Sequence, residues 1–135
     1  MKQQQAWIVT VDMGYGHQRA AYPLRHLAPD GKIIVANNYP GIPASDRRVW
    51  QESQRIYNFF SRLTNIPLIG QFLFGLFDKF QAIASFYPRR DLSAPIPQIK
   101  QIYWLIKRGW GRDLIQLLNK NPIPLITTFF TIAFF

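Results

Sequence analysis

Apolar residues fill "AWIVTVD", residues 6 to 12, and the run stops at glycines, which is the pattern of a strand buried in a parallel sheet. From His17 to about Leu27 the period changes: Ala20, Ala21, Leu24 and Leu27 recur at helical spacing, with Arg19 and Arg25 between them. Pro29-Asp30-Gly31 closes that segment as a turn, and "KIIVANNY", Lys32 to Tyr39, predicts a second strand. Strand, glycine turn, helix, turn and strand make a βαβ unit with a right-handed crossover, so the expected class is α/β with a parallel sheet.

After the second strand the pattern turns helical. "PGIPASDRR", Pro40 to Arg48, is expected as a loop that carries Arg47 and Arg48. Trp50 to about Leu63 then reads as a helix, with Ile56, Phe59, Phe60 and Leu63 on one face and Arg48, Arg55 and Arg62 repeating along another. Leu68 to Phe77 is interrupted by Gly70, Gln71 and Gly75 and falls short of the roughly 20 apolar residues a spanning helix needs. A buried or interfacial helix suits it better, and residues 49–87 together form a helical, aromatic-rich insertion. The Phe-rich stretch from Phe59 to Phe80 is expected to be core; its basic neighbours keep contact with an anionic membrane open as the alternative.

Pro88 to Gln98 is a second loop, with the pair Arg89 and Arg90. Ile99, Ile102, Tyr103 and Ile106 predict a helix ending at Gly109, Arg112 to Asn119 a short helix, and "NPIPLITTFF" a strand entered through prolines. The sequence given stops on "TIAFF", apolar and without a cap or polar tail, which reads as the front part of a longer protein cut within or just after a strand.

Composition narrows this picture without changing it. The 135 residues fall within the size of one domain, and 48% hydrophobic content is ample to form a core, which excludes a disordered chain. A formal charge of +9, spread from Lys2 to Lys120, favours anionic partners such as phosphorylated ligands or acidic head groups. No nucleic-acid motif accompanies the charge, so no specific nucleic-acid partner is expected. The absence of cysteine removes disulfides and thiolate metal sites, and the N-terminus lacks the apolar stretch of a signal peptide. A cytoplasmic location follows as the expectation, with peripheral contact at a membrane, and neither a metal nor a cofactor is called for.

The candidate chemistry sits where the first strand meets the first helix. Glycines at such a turn allow positive φ and close ligand approach, and the helix that follows offers free N–H groups, so Asp12, Gly14, Tyr15, Gly16 and His17 frame an anion or hydroxyl site. A dinucleotide fingerprint is disfavoured: Arg19 stands where the third glycine belongs, and Asn37 and Asn38 stand where a ribose-binding acid would end the second strand. A P-loop is excluded, because no Gly-Lys-Ser/Thr follows. His17 either presents its imidazole to a ligand or bonds within the loop, and Asp12 either orients His17 or, the preferred reading, holds the turn. Arg47 and Arg48 are candidate ligand-binding residues and Arg55, Arg62, Arg89 and Arg90 candidate membrane or anion contacts, with solvated loop charge the alternative for the pairs Arg47-Arg48 and Arg89-Arg90.

The run Asp12-Met13-Gly14-Tyr15-Gly16-His17-Gln18-Arg19-Ala20-Ala21 resembles the glycine-rich, histidine-containing turn near the start of monogalactosyldiacylglycerol synthases and related processive lipid glycosyltransferases. It is more loosely similar to that of the glycosyltransferase that forms peptidoglycan lipid II. The resemblance covers about Val9 to Leu24, and "LIQLLNKNPIPLITTFF" is similar in layout to the later helix and strand of those enzymes. It implies a GT-B architecture in which this chain is an incomplete, three-layer Rossmann-like acceptor domain. A nucleotide-sugar donor would then be held by a C-terminal domain, and a lipid acceptor by this one. The resemblance gives His17 the role of general base toward an acceptor hydroxyl, a task that suits an imidazole. Two departures stand out: Tyr15 replaces a small residue, and Thr128-Phe129-Phe130 replaces a histidine common after the later strand. The other reading of the same turn is a non-catalytic module that binds a phosphorylated or nucleotide ligand.

Overall fold

The structure, a computed structural model, describes residues 5–63, 72, 75, 76, 79 and 93–135. Its sheet has three strands in the order β2-β1-β3: β1 (Trp7–Thr10) at the centre, β2 (Ile34–Val35) on one side and β3 (Leu125–Thr127) on the other. Both pairings are parallel, with Val9 opposite Ile34 and Ile8 opposite Ile126. The helices are α1 (Tyr15–Ala21), α2 (Ala44–Leu63), α3 (Pro97–Lys107) and α4 (Arg112–Leu118). The α/β class read from the periodicity therefore holds, with an all-parallel open sheet.

The chain divides into two compact units: residues Met1–Gln51 with Gly109–Phe135, and Glu52–Arg108. In the first, Ala6 and Ile8 project from one side of β1 onto Ala21 and Ala28, with Leu24, Leu27, Ile33 and Ile126 packed around them. Trp7, one residue out of phase, points to the other side, where its indole N–H lies 3.1 Å from the Leu118 carbonyl at the end of α4 and 2.8 Å from that of Asn121. Ile8, Val9 and Val11 are fully buried, each stabilising the unit by about 1.5–3 kcal/mol relative to an exposed side chain.

Several boundaries differ from expectation, each for a local reason. The helix expected over residues 17–27 starts earlier, at Tyr15, and becomes a 3-10 helix over Tyr22–Leu27. Pro23 lacks an N–H and its ring crowds the carbonyl four residues back, so the α-helix cannot run through it. The second strand is two residues, not the eight of Lys32 to Tyr39, because the chain turns at once and Asn38 N–H bonds back to the Val35 carbonyl at 2.8 Å. The loop expected over residues 40–48 ends at Pro43, which moves Arg47 and Arg48 from a loop onto the first turns of α2. Asp46 in that first turn suits the positive end of the helix dipole.

In the second unit, α3 follows its predicted spacing, with Ile102 buried, and Gly109, at φ 99° just past the helix end, begins the return to the first unit. Arg108 lies over the Trp104 ring, 3.8 Å from its centre. The core expectation for the Phe-rich stretch fails at the residues described: Phe59, Phe72 and Leu76 are all more than half exposed, as is Ile56. Of the apolar stripe of α2, Ile56 and Phe59 are thus exposed rather than core. The rest of Leu68 to Phe77 and the Arg89-Arg90 pair lie outside the described residues. Among the described residues no helix is long and apolar enough to cross a membrane.

Candidate functional site at the carboxyl edge of the sheet

With β1 central, the chain leaves it toward β2 and later returns on the opposite side as β3, so the strand order reverses at the β1–β3 gap. Open parallel sheets tend to bind ligands just beyond the carboxyl ends of the strands at such a reversal. The glycine turn follows β1, and Thr128 and Phe129 follow β3, so both segments reach that edge.

Gly14 takes φ 124° and ψ 150°, a conformation that side chains rarely adopt, and it precedes α1 directly. Gly16 differs from expectation: it lies inside α1 without positive φ, and a Cβ placed there would meet nothing within 4 Å. The space in front of it is open. The seven residues of α1 align few peptide dipoles, so the helix start adds little to an anion site. Tyr15 projects outward, 81% exposed.

His17 is tied to the far side of the gap. Its Nδ1 lies 2.8 Å from the Thr128 carbonyl, and the Thr128 hydroxyl donates to the His17 carbonyl at 3.1 Å. A carbonyl only accepts, so Nδ1 carries the proton and the neutral ring keeps its lone pair on Nε2. No partner for Nε2 occurs among the described residues. The Phe129 ring meets the imidazole edge-on, with centroids 5.0 Å apart at 89°, and restrains its rotation. Beneath, the Thr10 and Thr128 hydroxyls are 2.9 Å apart and lock β1 to the segment after β3.

Asp12 does not touch His17. Its carboxylate accepts from the Gln18 side chain at 2.8 Å, while its backbone N–H and carbonyl pair with the Asn37 amide at 2.9 and 3.1 Å. The turn after β1 is thereby fastened to the turn after β2. Asn37 thus has a positioning role that its place in the fingerprint did not suggest.

A second polar cluster braces the same edge. The Tyr39 hydroxyl donates to Asp113 at 2.8 Å, and buried Asp46 accepts the Gly111 N–H at 3.0 Å where α4 begins. Burial pushes the Tyr39 phenol well above its ordinary range, and the bond and charge of Asp113, with the charge of Asp46, push it further. Trp50 packs on Trp110 and Phe129, at centroid distances of 4.9 and 5.9 Å. The buried Trp110 Nε1 has no acceptor among the described residues.

The structure therefore brings together Asp12, Gly14, Tyr15, Gly16 and His17, and adds Thr10, Thr128, Phe129 and Asn37. The rule that ligands gather at carboxyl ends would have found Thr128 and Phe129, because they stand to β3 as the glycine turn stands to β1. Arg47, Arg48, Arg55 and Arg62 are exposed along α2. No group of His, Cys, Asp or Glu that could hold a metal occurs among the described residues. No family model matches the chain, and neither a curated protein nor a solved structure is significantly similar to it.

Proposed function

We propose that this chain is the Rossmann-like, acceptor-binding part of a glycosyltransferase-like protein in which His17 activates an acceptor hydroxyl. The observation that carries the reading is the His17 imidazole, held by the Thr128 carbonyl so that Nε2 is the basic nitrogen, at the reversal of strand order. In the reaction Nε2 takes the hydroxyl proton, and the acceptor oxygen forms its bond to the anomeric carbon of a nucleotide-sugar. The bond from that carbon to the nucleotide phosphate breaks, and the nucleoside diphosphate leaves with the electron pair. The Thr128 carbonyl stabilises the imidazolium through Nδ1–H, and Phe129 keeps the ring in plane. Gly14 and Gly16 leave room for the acceptor, and Tyr15 offers a ring for it to lie against. The donor would be bound by a C-terminal domain.

A lipid acceptor suits the exposed apolar and cationic surface of α2, where Ile56 and Tyr57 stand near Arg55 in sequence and all three are exposed. Apolar insertion together with attraction to acidic head groups is how such a helix would rest on a membrane.

The test is sugar transfer from labelled nucleotide-sugars to a lipid hydroxyl by the full-length protein. His17→Ala should lower kcat by about 10²–10⁴-fold with little change in acceptor KM, the usual worth of a general base. Wild-type turnover by His17→Ala would overturn the reading. Nucleotide binding that survives His17→Ala but is lost in Gly16→Val, without any transfer, would favour the non-catalytic module instead.

A further inference from the structure

A groove runs beside β2, on a part of the first unit that includes none of the residues of the glycine turn. Its cavity of about 540 Å³ is lined by Arg25, Lys32, Ile33, Val35, Tyr39 and Leu117, among others. An adjoining hollow of about 430 Å³ shares Tyr22, Arg25 and Gly31 with it. The larger volume lies within the roughly 300–1,000 Å³ of small-molecule sites, which pair an apolar wall with a few placed polar groups.

The charge in this groove has one sign. Arg25 and Lys32 line it, and no acidic residue lines either hollow. Arg25 Nε donates to the Gly31 carbonyl at 2.8 Å, which fixes the guanidinium plane and leaves its terminal nitrogens without a partner among the described residues. Lys32 is exposed and likewise has none among them. The wall is aliphatic and aromatic, from Ile33 to Val35 with Leu117 and Tyr39. At two residues, β2 is too short to template an added strand, so a small molecule fits this edge better than a peptide.

We propose that the β2 groove binds a small anionic amphiphile, its carboxylate or phosphate on Arg25 and Lys32 and its apolar body along Ile33 to Val35 and Leu117. This stands apart from the glycosyltransferase reading, because Asp12, Gly14, Tyr15, Gly16 and His17 do not line the groove.

Calorimetric titration of the chain with octyl phosphate, octanoate, 1-octanol and inorganic phosphate tests it, all below micelle-forming concentrations. Both anionic amphiphiles should bind one to one, 1-octanol about tenfold or more weakly, and inorganic phosphate without saturation, since each anchor requires the other. Octyl phosphate alone would identify a phosphate head, and octanoate alone a carboxylate; either supports the site. Lys32→Gln, on an exposed position that leaves the fold intact by circular dichroism, should weaken octyl phosphate about fivefold and leave 1-octanol unchanged. Equal affinity for 1-octanol and octyl phosphate, no binding of either amphiphile, or undiminished octyl phosphate binding by Lys32→Gln would overturn the proposal.

Discussion

In the sheet-bearing unit a set of large apolar side chains is fully inside, Ile8, Val9, Val11, Leu114 and Ile132 being at most 1% exposed, while Tyr15 and Tyr22 stand out at its surface. In the helical unit the pattern is different, for Ile56 and Tyr57 of α2 are 54% and 56% exposed and Trp104 of α3 is 51% exposed. Both regions are rich in apolar residues, so composition does not separate them. Among the described residues, every buried apolar side chain except Ile102 belongs to the first unit. That contrast puts the core in one unit and, among the described residues, exposed apolar side chains in the other, and mutations can grade it.

The largest effect belongs to the buried side. Leu114→Ala removes a side chain of α4 that is 1% exposed, and should destabilise the chain by about 2–5 kcal/mol in urea unfolding, through lost burial and the cavity left behind. A cost below about 1 kcal/mol would mean that the α4 interface collapses easily and that the contrast between the units is weaker than their exposures suggest.

How far this was legible in sequence depends on what each signal measures. The period-2 and period-3.6 patterns locate β1, α3 and α4 well, because those segments bury at least one face and their apolar spacing records it, whereas the strand expected over "NPIPLITTFF" is only Leu125–Thr127. They overextend the second strand, because β2 pairs on one side only and the turn at Asn37 and Asn38 ends it before the apolar run predicts. They misplace the start of α2, because Pro43 permits a helix immediately after it and no apolar residue marks the first turn. Spacing also treats the apolar stripe of α2 as core, since periodicity shows that a face is apolar but not that anything covers it. At the candidate site, Gly14 and His17 could be read from the motif. Thr128 and Phe129 could be reached only through the rule that ligands gather at the carboxyl ends of strands, and Asn37 not at all, because it meets the turn only when the parallel sheet brings the strand ends together.

A smaller effect, tied to pH, belongs to the brace between Tyr39 and Asp113. Tyr39→Phe removes a 2.8 Å bond to a carboxylate and should cost about 1–2 kcal/mol at neutral pH. The folded phenol titrates above its unfolded value, so the folded state holds its proton longer, and the stability this supplies is complete below the unfolded tyrosine pKa of about 10. Above that pH the unfolded chain gives up the proton first, and stability falls as pH rises. The variant should therefore lose less stability than the wild type on the alkaline limb. Parallel curves for the two proteins above about pH 10 would show that Tyr39 does not couple folding to proton binding.

The smallest effect sharpens the contrast most, because it is the one expected to be nearly nothing. Ile56 lies on α2 with more than half its surface in solvent, so Ile56→Ser removes little burial and leaves no cavity. Its cost to unfolding should stay within about 0.5 kcal/mol, the usual range for surface positions. The same substitution should reduce co-sedimentation with vesicles of phosphatidylglycerol, where insertion of an apolar residue and attraction of Arg55 and Arg62 act together. If Ile56→Ser destabilises the chain as much as Leu114→Ala, this face of α2 is structural and the contrast between the units fails. If stability holds and vesicle binding is unchanged, the face is exposed but does not meet a membrane, and the lipid-acceptor part of the proposed function loses its support on α2 while the chemistry assigned to His17 stands or falls on its own test.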